Sequence, residues 1–443
     1  MKKYFLYIFS LILLNGCSSF LEVDPQASIS GEEVIKDQTS ANAALNGAYV
    51  ALRDYYSVNF QSVAYLSGDN VEWTGSQSQV QEFINHRVNP ENATIGSTWN
   101  GIYKAINRAN NIIKAVSDLS EEVIDPQLRN SVLGQAYAIR ALSFFDLARI
   151  WGGVPLITEP TSKVGENAGI ARSTVDQTYA QVLSDLDKAE ELLAETDRTA
   201  FTRKTIWSLK ARYYLYQQDW EQAIDYASKL IGDTQYELVR PYYSFFSENV
   251  TSTNESVFEL AYNSNELNPH GGQWLPQTNG GTRQWAPSAE LIALLNNSDT
   301  GGARSRLIAK DNQNRWYGTL YYRSPATDPT YVVRIAELYL IRAEARAQLG
   351  DNTRALEDLN KIRERAQLTA KGLSGNKDEI LLWIEQERRL EFAFEAHRWF
   401  DLVRTNRAEA VLGVSEEFRL LFPIPFSQIL ADPALKQNPG YSS

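Results

Sequence analysis

Two amphipathic helical hairpins, far apart in the chain, cannot bury their apolar faces alone. That requirement limits the fold more than any other feature. The later hairpin runs from Val332 to Gln367. At helical spacing Val332, Ile335, Ala336, Tyr339, Leu340, Ala343 and Ala347 share one face, the step of three and four residues that marks an amphipathic helix. Gly350-Asp351 interrupts the pattern as a C-cap and restart would. Ala355, Leu356, Leu359, Ile362 and Ala366 then form a second face. Such a hairpin needs a neighbour to stack on.

Leu209 to Ile231 supplies one. Ala211 and Ala343 lie 132 positions apart, and the same shift sets Asp219 on Asp351, Ala223 on Ala355 and Ile224 on Leu356. Small residues on one helix, a polar turn, then Ala plus an aliphatic on the next resemble tetratricopeptide-type repeats in a degenerate, non-tandem form. Two unrelated amphipathic hairpins are the plainer alternative.

The first residues read as a leader rather than as fold. Lys2 and Lys3 precede an apolar run, Tyr4 to Leu14, of signal-peptide length. It is too short for a spanning helix, which needs about 20 residues. Leu14-Asn15-Gly16-Cys17 resembles a bacterial lipoprotein cleavage box, with Asn15 a mild departure. Residues 1–16 are therefore expected to be removed and Cys17 to carry lipid. Cys17 is the single cysteine among 443 residues, so no disulfide competes for it. An ordinary signal peptide with an incidental Cys is the alternative. The chain without its leader has 427 residues and a net charge of −13. That acidity opposes nucleic-acid binding, which wants a basic footprint.

Helices are expected over Thr39–Asp54, Thr98–Leu119, Gln127–Ile150, Val175–Ala194, Lys204–Gln217, Trp220–Ile231 and Pro287–Leu295, with a Glu- and Arg-rich stretch over Asp378–Arg407. The helical period fails between Ser67 and Pro90. Val257–Tyr262 alternates like a strand. Asn263–Ala286 reads as a long loop, and such loops are usually functional or disordered. No low-complexity linker splits residues 17–443, expected to form a single domain with parts at about 17–320 and 321–443.

Several stretches, in order, resemble the SusD/RagB family of surface glycan-binding lipoproteins. They are Cys17 with Phe20-Leu21-Glu22; Trp99-Asn100-Gly101-Ile102-Tyr103 with Asn107-Arg108-Ala109-Asn110; and Gln135–Arg149 with Gly152-Gly153-Val154-Pro155-Leu156. Next come Ile335–Arg365, then Glu387-Arg388-Arg389-Leu390-Glu391-Phe392 with Arg398-Trp399-Phe400-Asp401-Leu402. Phe422-Pro423-Ile424-Pro425 and Gln437-Asn438-Pro439-Gly440-Tyr441 close the set. Gln428 and Asp432 depart from the family's usual Glu and Asn. The resemblance implies a mainly α scaffold of tetratricopeptide-like hairpins with an irregular, loop-rich second half carrying the ligand site. It also implies an outer-membrane, surface-exposed location through a lipid anchor, and a SusC-type TonB-dependent transporter as partner. The ligand would be an oligosaccharide or polysaccharide, with a neutral β-glucan of the laminarin type as the guess and starch-like or fructan ligands as alternatives. A peptide-binding member of the family and a protein–protein adaptor are the rivals.

Neutral sugars are held by flat apolar faces and a few hydrogen bonds, and Trp suits the first task. Trp99, Trp151, Trp207, Trp220, Trp383 and Trp399 fall on or beside helices and read as packing. Trp73, Trp274, Trp285 and Trp316 fall in loop-like sequence. The expected site is an aromatic platform of Trp73, Trp274 and Trp285, with Trp316 and Tyr317. Asp69, Asn70, Glu72, Gln273 and Arg283 would serve the hydroxyls. Each loop Trp pinning its own loop is the alternative. No catalytic set is visible. His86, His270 and His397 lack ligand-like spacing, and neither a nucleophile elbow nor a phosphate loop occurs. Asp69 with Glu72 is the one carboxylate pair worth testing for glycoside hydrolysis. No enzyme activity, cofactor or metal is expected.

Overall fold

The computed structural model describes residues 34–442, apart from 164, 196–199 and 248–249. The leader, Cys17 and Phe20-Leu21-Glu22 lie outside the described residues. Helices Gln38–Tyr55, Ala93–Asp118, Pro126–Trp151, Val175–Leu192, Arg203–Tyr216 and Trp220–Ile231 pack each on the next. Trp220–Ile231 then packs on Ile335–Gln348, which pairs with Asn352–Arg365, and Lys377–Glu391 covers both. The two hairpins identified from their shared pattern therefore stack directly, although about a hundred residues separate them.

Local chemistry sets these boundaries. Asp219 and Asp351 are both N-caps, accepting from the backbone N of Gln222 and Arg354, which satisfies an otherwise orphaned donor. Gly350 takes φ +83° between the helices, a left-handed C-terminal position that favours glycine. Asp125 caps Pro126–Trp151, with Pro126 in the first turn, where its missing N–H costs nothing. Arg212 of the earlier hairpin pairs with Glu337 of the later one, 2.6–2.7 Å, both buried.

Three short antiparallel pairs interrupt the helices: β1 (Val71–Trp73) with β3 (Trp285–Pro287), β2 (Ser256–Leu260) with β6 (Thr330–Arg334), and β4 (Ile308–Lys310) with β5 (Trp316–Gly318). Val332 thus belongs to a buried strand, not to the helix that starts at Ile335. Its apolar neighbours suit either state, and the strand wins because β2 is there to pair with. Ser78–Ile84 forms a helix inside the stretch expected to be irregular, burying only Val80 and Phe83. Two buried positions are too few to leave a period. The Asp378–Arg407 stretch breaks at Phe392–His397 into Lys377–Glu391 and Arg398–Arg404. Glu391 at the helix end and Glu395 within the break both reach Arg334.

The main hydrophobic core reaches from Ile35 to Leu435, and a second cluster gathers Ala336, Leu340, Ala343, Ala355, Leu359 and Ile384 between the later hairpin and the helix that covers it. Among the described residues, no helix is long and apolar enough to cross a membrane.

Candidate ligand-binding surface

An early loop and two later segments meet on one side of the scaffold. β1 lies against β3 with Trp73 opposite Trp285 and Val71 opposite Pro287. The Thr74 N–H donates to Gln284 O at 2.9 Å, extending the pair. Arg283, at φ +47°, donates through Nε to Trp316 O at 2.8 Å, tying this loop to β5. The early loop is also clamped from behind. Asp69 takes Arg398 Nε and Nη2 at 2.6 and 2.9 Å and Arg389 Nη2 at 3.0 Å.

Of the expected platform, Trp274 and Trp285 are interior. They are 1% and 0% exposed, with ring centroids 5.5 Å apart, edge to face. Tyr65 meets Trp285 at 5.3 Å and Phe394 meets Trp274 at 4.6 Å. A Cβ on Gly318 would come within 2.9 Å of the Trp274 ring, so β5 backbone lies against that indole. The open platform of Trp73, Trp274 and Trp285 is therefore corrected: the indoles do converge, but as core. Residues 263–286 contain few aliphatic side chains, and these two indoles supply the apolar area that holds them down. Trp73 is half-buried beneath Gly75, its indole N–H enclosed.

The polar set divides in the same way. Asn70 is 2% exposed; its amide donates to Arg389 O at 3.0 Å and accepts from Arg389 Nε at 2.9 Å. It is structural rather than a sugar contact. Burial pushes the Asp69 carboxyl up, but hydrogen bonding and charge from Arg398, with the charge of Arg389, bring it below the ordinary range. Asp69 stays ionised at neutral pH, so the Asp69–Glu72 pair has no acid on that side. Glu72 is exposed, and Oε1 accepts from Ala289 N at 3.3 Å. Gln273, Arg283, Trp316 and Tyr317 are half-buried at the surface. Burial lowers the Arg283 guanidinium, Arg315 lowers it further, and Asp311 and Glu72 oppose them. Lys310 Nζ sits 4.8 Å above the Trp316 ring.

His270 is buried and His397 half-buried among charged neighbours, and desolvation takes both to about 3. Both are neutral packing residues at neutral pH. Among the described residues, no group of three or more His, Cys, Asp or Glu is placed to hold a metal.

A second concavity escaped the sequence reading. A cleft of about 440 Å3 lies between the helix Ala93–Asp118 and the C-terminal tail, lined by Trp99, Asn100, Tyr103, Gln428, Asp432 and Leu435. The signals were present in the Trp99-Asn100-Gly101-Ile102-Tyr103 run and in the two unusual tail positions, Gln428 and Asp432. Nothing in the sequence showed that they face each other.

Fold and surface define a class: a stack of helical hairpins whose irregular connections carry the aromatic and polar side chains open to a ligand. Residues 19–215 match the family described as "Starch-binding associating with outer membrane", and residues 239–419 match the SusD family. SusD-like protein P38 of Formosa agariphila is 30% identical over the whole of both chains. Starch-binding protein SusD of Bacteroides thetaiotaomicron is 25% identical, aligning 60% of this chain with 65% of its own. Among solved structures, a SusD superfamily protein of Bacteroides vulgatus superposes with TM-score 0.83 at 21% identity, covering 92% of this chain and 99% of that one. A laminarin-binding SusD-like protein superposes with TM-score 0.81 at 24% identity, covering 92% and 100%. The chain belongs to the SusD family.

Proposed function

We propose that this protein is a non-catalytic, cell-surface glycan-binding lipoprotein that hands an oligosaccharide to a SusC-type TonB-dependent transporter. Cys17 would carry the lipid anchor that holds it to the outer membrane. The observation that carries the binding reading is the surface assembled by β1, β3 and β5. There the half-exposed indole of Trp316 stands beside Arg283, which feels the charge of Glu72. Arg283, Glu72 and Gln273 would serve as hydrogen-bonding partners. An indole face with a few polar groups suits a neutral sugar better than a charged one. We take a neutral β-glucan of the laminarin type as the ligand to test first, since a laminarin-binding protein shares this fold along almost the whole chain. A starch-type glucan is its rival, from a starch-binding relative.

A glycan array followed by titration tests this. Trp316→Ala and Arg283→Ala should each weaken glycan binding at least tenfold, the first with a nearly unchanged thermal melt and the second with a slightly lower one, since Arg283 also ties its loop to β5. Normal binding by both variants overturns the surface. Binding of peptides but no glycan overturns the ligand class, and turnover of an oligosaccharide overturns the non-catalytic reading.

A further inference from the structure

The cleft between Ala93–Asp118 and the tail falls, at about 440 Å3, within the roughly 300–1,000 Å3 of small-molecule sites. Its charged and polar walls are mostly engaged. The Asp432 carboxylate accepts from Gly169 N at 2.8 Å and Ala434 N at 2.9 Å. Glu166 accepts from Ser162 N and Lys163 N at 2.7 and 3.0 Å. Asn107 is closed by Thr161, accepting from its N at 2.7 Å and donating to its O at 3.1 Å. Lys104 is paired with Asp54 at 3.4 Å.

One amide pair keeps hydrogen-bonding capacity. Gln428 Nε2 donates to Asn100 Oδ1 at 3.2 Å. That contact leaves Asn100 Nδ2 and Gln428 Oε1 with no partner among the described residues. A donor beside an acceptor is the complement of two adjacent hydroxyls, each of which can donate and accept. Tyr103, next along the same helix face, is half-buried, and its hydroxyl is fixed on Pro155 O at 2.8 Å. Its ring, rather than its hydroxyl, is what it offers. Leu435, 5% exposed, adds apolar floor. Both Asp432 oxygens are taken by backbone amides and Lys104 by Asp54, while Glu166 turns Oε2 to its own loop. The amide pair offers a neutral ligand a donor and an acceptor without a charge.

We infer that this cleft is a second carbohydrate site, taking one or two neutral sugar units by a vicinal diol bound to the Asn100–Gln428 amide pair over Tyr103. It extends the glycan-binding reading but shares no residue with the Trp316 surface, so the two fail separately.

Calorimetric titration of the purified protein with laminaribiose, cellobiose and maltose tests it. The paired substitution Asn100→Ala/Gln428→Ala is compared with Trp316→Ala/Arg283→Ala. At least one disaccharide should still bind the Trp316/Arg283 variant, and should bind the Asn100/Gln428 variant at least tenfold more weakly at that component, with an unchanged melt. Disaccharide binding that ignores the Asn100/Gln428 substitutions overturns the inference, as does no binding of any of the three at millimolar concentration. If tetra-alanine binds in place of the disaccharides and is lost with Asn100 and Gln428, the ligand class is overturned. Loss of all binding with Asn100/Gln428 alone leaves the cleft standing and removes the Trp316 surface instead.

Discussion

Arg334 is fully buried, and every guanidinium nitrogen is engaged. Nη1 donates to Glu255 at 2.7 Å and Glu391 at 2.9 Å, Nη2 to Glu395 at 2.6 Å and the Glu391 carbonyl at 2.9 Å, and Nε to Glu395 at 3.0 Å. Phe245 and Phe392 lie against it at 4.4 and 5.1 Å. A buried charge is tolerated only when so paired; removing one partner leaves carboxylates uncompensated. Arg334→Met should therefore cost at least about 3–5 kcal/mol in denaturant unfolding, and Arg334→Lys should recover only part, since an ammonium cannot reproduce the planar fork. The loop tryptophans divide by the same criterion. Trp274→Ala and Trp285→Ala should each lower stability by about 3–5 kcal/mol. Thermal melts that left both unaffected would contradict their burial.

At the scale of elements, the capping aspartates are the simplest test of the stacked hairpins. Asp219→Ala and Asp351→Ala should each cost about 1 kcal/mol, roughly additively, because they cap different helices with no shared partner. Denaturant midpoints of the two single variants and the double variant check this. These caps were legible because a polar turn between two apolar periods has one reading. So were the long helices: Trp220–Ile231 has the expected ends, and Pro126–Trp151 differs by a residue at each. The strands were legible only at β2. β1, β3, β4 and β5 are three residues each, too short for alternation to register. The site suffered most. Trp in a Gly-rich stretch reads the same whether it faces a sugar or the core, and only the positions of Tyr65 and Phe394, distant in sequence, decide it. Asp69 and Asn70 look like sugar ligands until Arg389 and Arg398 arrive from more than three hundred residues away.

For the whole molecule, the buried ion pairs predict how acid unfolds it. Glu391 is pushed up by burial, yet Arg365, Arg304 and Arg334 hold it at about 2, below the ordinary 4.5. Burial likewise raises Glu337, but the charge and hydrogen bonds of Arg212 outweigh it and leave the carboxyl at about 2. Asp401 ends below the ordinary range, with Arg388 and Arg404 overcoming its burial. A carboxyl depressed by folding stabilises the fold above its unfolded pKa and loses that contribution as pH falls toward the folded value. Glu395 and Asp146 run the other way: burial raises both, so they add stability as pH first drops toward the ordinary carboxylate range. Two histidines oppose them: His270 and His397 stay at about 3 in the fold while the unfolded chain protonates them near 6.5, so stability is lost from that pH downward. Thermal melts should therefore be highest near neutral pH, begin to fall below about pH 6.5 and fall steeply between about pH 4.5 and 2. Glu337 lies in the helical stack and Glu391 between the stack and the irregular half, so both halves should be lost in one transition rather than two. Glu391→Gln should start from a lower melting temperature, because it leaves Arg365 and Arg304 short of charge. Its acid limb should also be shallower, since one titrating group is gone. A wild-type melting temperature that stays flat to pH 3, or a variant limb as steep as the wild type's, would show that other groups control acid stability.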